Sequence, residues 1–168
     1  MSGADELLDV VDAEDRVIGV RRRGDIHAEG LMHRAVHVLV FNAQGELFLQ
    51  KRSMSKDEQP GRWDSSAAGH VDSGEDYHQC AERELAEELG IRVIAPPRAL
   101  FKMAACPRTG NEHCMVYRYD HDGPMQLQAE EIDDGAWVSA QEMDRRITDP
   151  DAELTDAIRL IWQRLREA

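Results

Sequence analysis

Between Gly69 and Ile91 the chain reads GHVDSGEDYHQCAERELAEELGI, with Glu84, Glu87 and Glu88 at i, i+3 and i+4. Those spacings place side chains on one face of a helix. Carboxylates arranged this way repel one another by roughly a few tenths of a kcal/mol per pair. A cation held among them removes that repulsion. Carboxylate oxygens are hard ligands, which favours Mg²⁺ or Mn²⁺ over zinc. The pattern therefore predicts metal-assisted chemistry on phosphate.

The elements that must position these residues follow from pattern and punctuation. Tyr77 to Leu89 has helical periodicity, with Ala81, Leu85 and Leu89 as an apolar stripe expected opposite the glutamates and Gly90 closing the helix. A short strand over 67–71 leads into it. Residues 7–11 and 16–20 read as the strands of an N-terminal β-hairpin spanning about 7–22. Residues 34–41 and 46–51, joined by the turn Asn42-Ala43-Gln44-Gly45, form a second hairpin. Pro60-Gly61 punctuates a loop before Trp63. Further strands are expected at 91–94, 99–104, 113–119 and 136–138.

Ser139-Ala140-Gln141-Glu142 is a capping box that opens a short helix. Asp149-Pro150 reads as the N-cap and first residue of a C-terminal helix over about 150–167. Leu154, Ile158, Ile161, Trp162 and Leu165 form its apolar face. This irregular alternation predicts an α+β fold with a mixed sheet.

The 168 residues, 42% hydrophobic and 32% charged, suit one globular domain over 1–168. A formal net charge of −13 argues against nucleic acid polymers and anionic membranes as partners. A small phosphorylated substrate is compatible with it, because a bound cation and a few basic side chains reverse the local sign. No apolar run approaches the ~20 residues of a membrane span, and the N-terminal residues carry no secretory pattern. Cys80, Cys106 and Cys114 are odd in number and have no metal-like spacing, so reduced thiols and a cytoplasmic location are expected.

The segment 69–91 resembles the signature of the Nudix hydrolase family at each defined position: Gly69, Glu75, Arg83-Glu84-Leu85, Glu87-Glu88 and Gly90-Ile91. A solvated acidic helix face would not account for Gly69, Gly74 and Gly90. The resemblance implies a loop–helix–loop on an α/β/α sandwich and cleavage of a diphosphate joined to another moiety. It implies that Glu84, Glu87 and Glu88 hold Mg²⁺, or Mn²⁺, with the carbonyl of Gly69. One of these carboxylates, for which the family favours Glu84, would take a proton from water. Glu75 and Arg83 are expected to pair structurally, Leu85 and Ile91 to be core, and Cys80 to be a buried filler. Glu130 or Glu131 is a candidate for a later carboxylate.

Outside that segment the chain resembles the branch around isopentenyl-diphosphate isomerase. The resemblance is carried by His33-Arg34-Ala35, Leu39-Val40-Phe41-Asn42, Leu49-Gln50-Lys51-Arg52-Ser53, Lys56, Pro60-Gly61-Arg62-Trp63-Asp64-Ser65 and Ala68-Gly69-His70. Those isomerases hold a metal with three histidines and two glutamates. Here His27, His33, His70 and Glu112 fall at or near matching positions as a candidate second metal site, while Gly110 stands where the other glutamate would be. The isomerase moves protons with a cysteine that this chain replaces by Ala68, and a methyl group cannot do so.

Lys51, Arg52, Lys56 and Arg62 are the candidate substrate-binding cations. Trp63 is a candidate for stacking on a base, or for the core. The leading expectation is a Mg²⁺-dependent pyrophosphohydrolase acting on a nucleoside di- or triphosphate or a related diphosphate ester. An isomerase-like enzyme and a non-catalytic diphosphate-binding module are the alternatives. The N-terminal hairpin and C-terminal helix are the candidate surfaces of a homodimer.

Overall fold

The computed structural model describes residues 3–56 and 58–167. The hairpin at the N-terminal end pairs β1 (Leu7–Val11) with β2 (Val17–Arg22). It is followed by α1 (Arg23–Glu29), a helix that the sequence reading does not include. Ile26 is its single buried residue, and Gly30 ends it at φ 66°. One anchor in two turns leaves no readable periodicity.

The main sheet runs β5 (Trp63–Asp64), β4 (Leu47–Arg52), β3 (His33–Phe41), β8 (Glu112–Asp120) and β7 (Arg98–Met103). Two further strands join it, β6 (Ala67–His70) on β3 and β9 (Ile132–Val138) on β4. β3 and β8 are parallel and the other ladders antiparallel, so the sheet is mixed. Helix α2 (Tyr77–Leu89) covers one face, packing Cys80, Ala81, Leu85 and Leu89 on Val36, Val38 and Val40. Helices α3 (Ala140–Arg146) and α4 (Asp156–Glu167) cover the other, where Met143, Ile158, Ile161 and Trp162 meet Leu39, Leu47 and Leu49. The α+β sandwich expected from the resemblance is therefore present, N-terminal hairpin included.

β3 and β4 splay apart. Their ladder holds the pair Phe41–Leu47 beside the turn, after which β3 pairs with β6 and β4 with β5 and β9. Ser66 spans the gap, its hydroxyl accepting from the Val40 N–H at 2.8 Å and donating to the Phe48 carbonyl. Buried polar groups reach one another through this opening.

Three local expectations are corrected. Residues 91–94 form no strand: Ile91 donates its N–H to the Leu85 carbonyl and packs under the end of α2, which Gly90 closes at φ 67°. The β-branched residue serves a Schellman closure. The C-terminal helix begins at Asp156 rather than at 150, because Leu154 bridges to Trp63 and Thr155 is the cap, its hydroxyl accepting from the Ile158 N–H at 3.2 Å. Ser139 caps α3, but Glu142 turns to Arg145 and Arg146 instead of completing the box.

Candidate active site

Helix α2 is set by a capping box at Asp76 and Gln79. The apolar stripe does not lie opposite the glutamates. Glu84 and Glu88 sit beside it and are 7% and 5% exposed, whereas the Glu87 side chain is half exposed. The reason is angular: at 100° per residue, position 88 falls close to position 81 on the helix wheel.

Two buried carboxylates require partners. Glu88 Oε1 accepts from the Ala68 N–H at 2.9 Å and the Gln50 amide at 3.0 Å. Glu84 Oε1 accepts from Arg83 Nη1 at 2.8 Å. A Cβ built on Gly69 would lie 2.1 Å from Glu84 Oε1, so this carboxylate packs directly on the glycine backbone.

Burial and the neighbouring Glu88 push the Glu84 carboxyl well above its ordinary range. Burial pushes Glu88 up to about 7, against the bonds from Ala68 and Gln50. Two acids that resist ionising side by side, with a backbone cradle beside them, match the donor chemistry of a hard divalent cation.

Arg83 holds the segment together. It forks onto Glu75 at 2.8 and 3.0 Å, reaches Glu87 at 3.2 Å, and donates to the His70 carbonyl at 3.0 Å. Those bonds, led by Glu75, raise its affinity for its proton further. Cys80 lies fully buried beneath, and burial pushes its thiol up. All three cysteines are free thiols.

β6 links this cluster to a second one. Successive strand residues face opposite sides, so Gly69 meets Glu84 while His70 points the other way. There the rings of His27, His33 and His70 form a near-regular triangle with centroids 5.1–5.4 Å apart. Glu112 Oε2 lies 2.9 Å from His70 Nε2 and 3.3 Å from His33 Nε2. One ligand atom from each of the four falls within 4.8 Å of the others.

His33 Nδ1 lies 3.0 Å from the Leu31 carbonyl, which can only accept, so this nitrogen carries the proton and donates. Nε2 is left to face a carboxylate, and a proton or a metal must satisfy both. Burial works against charge on Glu112, but bonds from His33 and His70 hold its carboxyl far below the ordinary range.

The expected basic residues divide. Lys56 pairs with Glu131 and feels Glu88 and Glu84 from a half-buried position; burial lowers its affinity for its proton. Arg52 lies 3.6 Å from Asp64 and donates to the Glu58 carbonyl. Lys51 alternates with Gln50 on β4 and so points away from Glu88. Arg62 is committed to the Leu154 carbonyl at 3.2 Å. Neither Lys51 nor Arg62 is brought to the glutamates. Trp63 packs against the α3–α4 core, and Glu131 rather than Glu130 pairs with Lys56.

Sequence reasoning missed Gln50, Asp64, His37 and Arg23. His37 lies 2.7 Å from the Ser65 hydroxyl and directly across from Ala68 in the β3–β6 ladder. Arg23 adds positive charge near His27 and Lys56. The signal for Gln50 and His37 was a polar residue inside an otherwise apolar strand.

The NUDIX domain model matches residues 31–158. The chain belongs to the Nudix family. An uncharacterized Nudix hydrolase of Pseudomonas aeruginosa is 40% identical over 136 residues, covering 79% of this chain and 78% of that protein. An isopentenyl-diphosphate Delta-isomerase of Serratia proteamaculans is 36% identical over 146 residues, covering 83% and 79%. A crystal structure of a Deinococcus radiodurans protein superposes with a TM-score of 0.82 at 30% identity, covering 94% of this chain and 98% of that one. The Nudix helix thus belongs to a family of pyrophosphohydrolases, in a branch shared with proteins named as isomerases. Among the described residues, no helix is long and apolar enough to cross a membrane.

Proposed function

We propose that this chain is a Mg²⁺-dependent pyrophosphohydrolase, with Mn²⁺ as a substitute, acting on a nucleoside di- or triphosphate or a related small diphosphate ester. The observation that carries this reading is the close packing of Glu84 on Gly69 beside buried Glu88. Glu84, Glu87, Glu88 and the Gly69 carbonyl would hold the cation. When bound, it offsets diphosphate charge and acidifies a water.

The chain's own residues then divide the work. Glu84, which packs directly on the Gly69 backbone, accepts the proton of the attacking water. Gln50 and the Ala68 N–H fix Glu88. Arg83 fixes the loop to the helix through Glu75. Lys56 and Arg52 contact phosphate oxygens. The three free thiols support a cytoplasmic setting. The outer strand β2, exposed along its length, supports pairing with a second copy.

A second cation centre is proposed at His27, His33, His70 and Glu112, where three imidazoles and a carboxylate suit Mn²⁺ or Zn²⁺. This cluster is the observation that favours an isomerase-like alternative. Ala68 and Gly110 weigh against it, since neither side chain can carry a proton or a ligand. The test is a panel of nucleotides, dinucleotides, nucleotide sugars, coenzyme A derivatives and prenyl diphosphates, assayed with Mg²⁺ and Mn²⁺. Hydrolysis of at least one diphosphate supports the reading, and isomerisation of a prenyl diphosphate without hydrolysis overturns it.

A further inference from the structure

Glu58 lies outside every motif in the sequence, on the loop between β4 and β5. Its carboxylate Oε1 stands 3.7 Å from His27 Nδ1. Its backbone carbonyl accepts from Arg52 Nε at 3.1 Å, which fixes the point from which the side chain reaches out. The Glu58 side chain is 50% exposed, so it keeps freedom to close the remaining gap, while that of His27 is 16% exposed.

The three histidines need a means of presenting one nitrogen inward. His33 does this by donating from Nδ1 to the Leu31 carbonyl, which turns Nε2 to Glu112. His70 likewise presents Nε2. For His27 the group facing Nδ1 is Glu58. A carboxylate that accepts from the far nitrogen of a ligating imidazole fixes its tautomer and raises its basicity.

Charge points the same way. Three neutral imidazoles and Glu112 leave a divalent ion one unit positive, and Gly110 offers no side chain. An outer carboxylate at Glu58 offsets that unit.

We propose that Glu58 is the positioning carboxylate of His27, orienting it toward a divalent cation shared with His33, His70 and Glu112. This rests on the second-centre reading above. Because the same loop carries Lys56 and follows directly on Arg52 at the end of β4, the segment proposed to meet substrate phosphate would also tune the ion.

The test uses the full chain titrated with Co²⁺, whose visible bands report imidazole ligation separately from the all-oxygen site on α2. Wild type, Glu58→Gln, Glu58→Asp, His33→Ala and Glu112→Gln are compared by absorption and by calorimetry. The expected result is one imidazole-bound Co²⁺ in wild type, with affinity about 10–100-fold weaker in Glu58→Gln at the same stoichiometry. Glu58→Asp should recover part of it. Equal affinity in wild type and Glu58→Gln overturns the role of Glu58 while leaving the second centre standing. Failure of His33→Ala and Glu112→Gln to remove any signal overturns the centre and the proposal together.

Discussion

The N–H of Ala68 donates to Glu88 Oε1 at 2.9 Å. The backbone of this strand residue braces the Nudix helix, and by the resemblance to the isomerases its methyl takes the place of their cysteine. Across the ladder from it is His37, whose ring contacts Ser65.

Restoring a thiol there should not restore isomerisation. Ala68→Cys is expected to leave isopentenyl diphosphate unisomerised by NMR, because Gly110 still lacks a carboxylate. Its hydrolase activity should change little, since the Ala68 N–H is retained. Robust isomerase turnover by this variant, or by wild type, would reverse the ranking of the two activities.

Glu88 makes stability depend on pH with a definite sign. Its carboxyl is at about 7 in the folded chain and 4.5 when unconstrained, so between these values the folded state holds more protons. Stability from this group is full below about 4.5, falls as pH rises to about 7, and then levels off, a loss of up to about 3 kcal/mol. Without added metal, Glu88→Gln should match wild type near pH 5 and melt at higher temperature near pH 8. Saturating Mg²⁺ should raise the wild-type melting temperature at pH 8 and raise that of the variant by less. A difference independent of pH would contradict the account.

Gly69→Ala should separate activity from folding. The added Cβ meets the tip of the Glu84 side chain rather than backbone, so the carboxylate can swing aside and the melting temperature should shift little. Displacing Glu84 removes the base and a ligand, and kcat should fall by about 10²–10⁴-fold. Full activity would show that the packing of Glu84 on Gly69 is incidental.

Arg83→Gln should act mainly on structure. It strips Glu75 of two bonds and leaves the His70 carbonyl without its guanidinium donor. A loss of about 1–3 kcal/mol in chemical denaturation is expected. Substrate affinity should fall less than kcat, because the loop and helix lose register. Unchanged stability would place Arg83 outside the framework of the site.

The Nudix helix was legible to the residue, since a period of 3.6 and a closing glycine coincide over 77–90. The exposure of its glutamates was not, because a helix face becomes buried only when a strand packs on it, and β6 is short and nearly featureless in sequence. Residues 91–94 failed as a strand because a buried Ile also serves a helix closure. Asp149-Pro150 carried local cap chemistry, but the contact of Leu154 with Trp63 delays the helix by six residues. The histidine triangle joins α1, β3 and β6 to β8, a long-range meeting that only a family resemblance brings within reach of a sequence. Glu58 and His37 had no such pointer.

The most direct test of the central claim is the Mg²⁺-dependent kcat of wild type, Glu87→Gln and Glu88→Gln on the best diphosphate substrate from the panel. The account predicts hydrolysis by wild type and a fall of orders of magnitude in both variants, with circular dichroism unchanged. Equal product release by all three enzymes would contradict it.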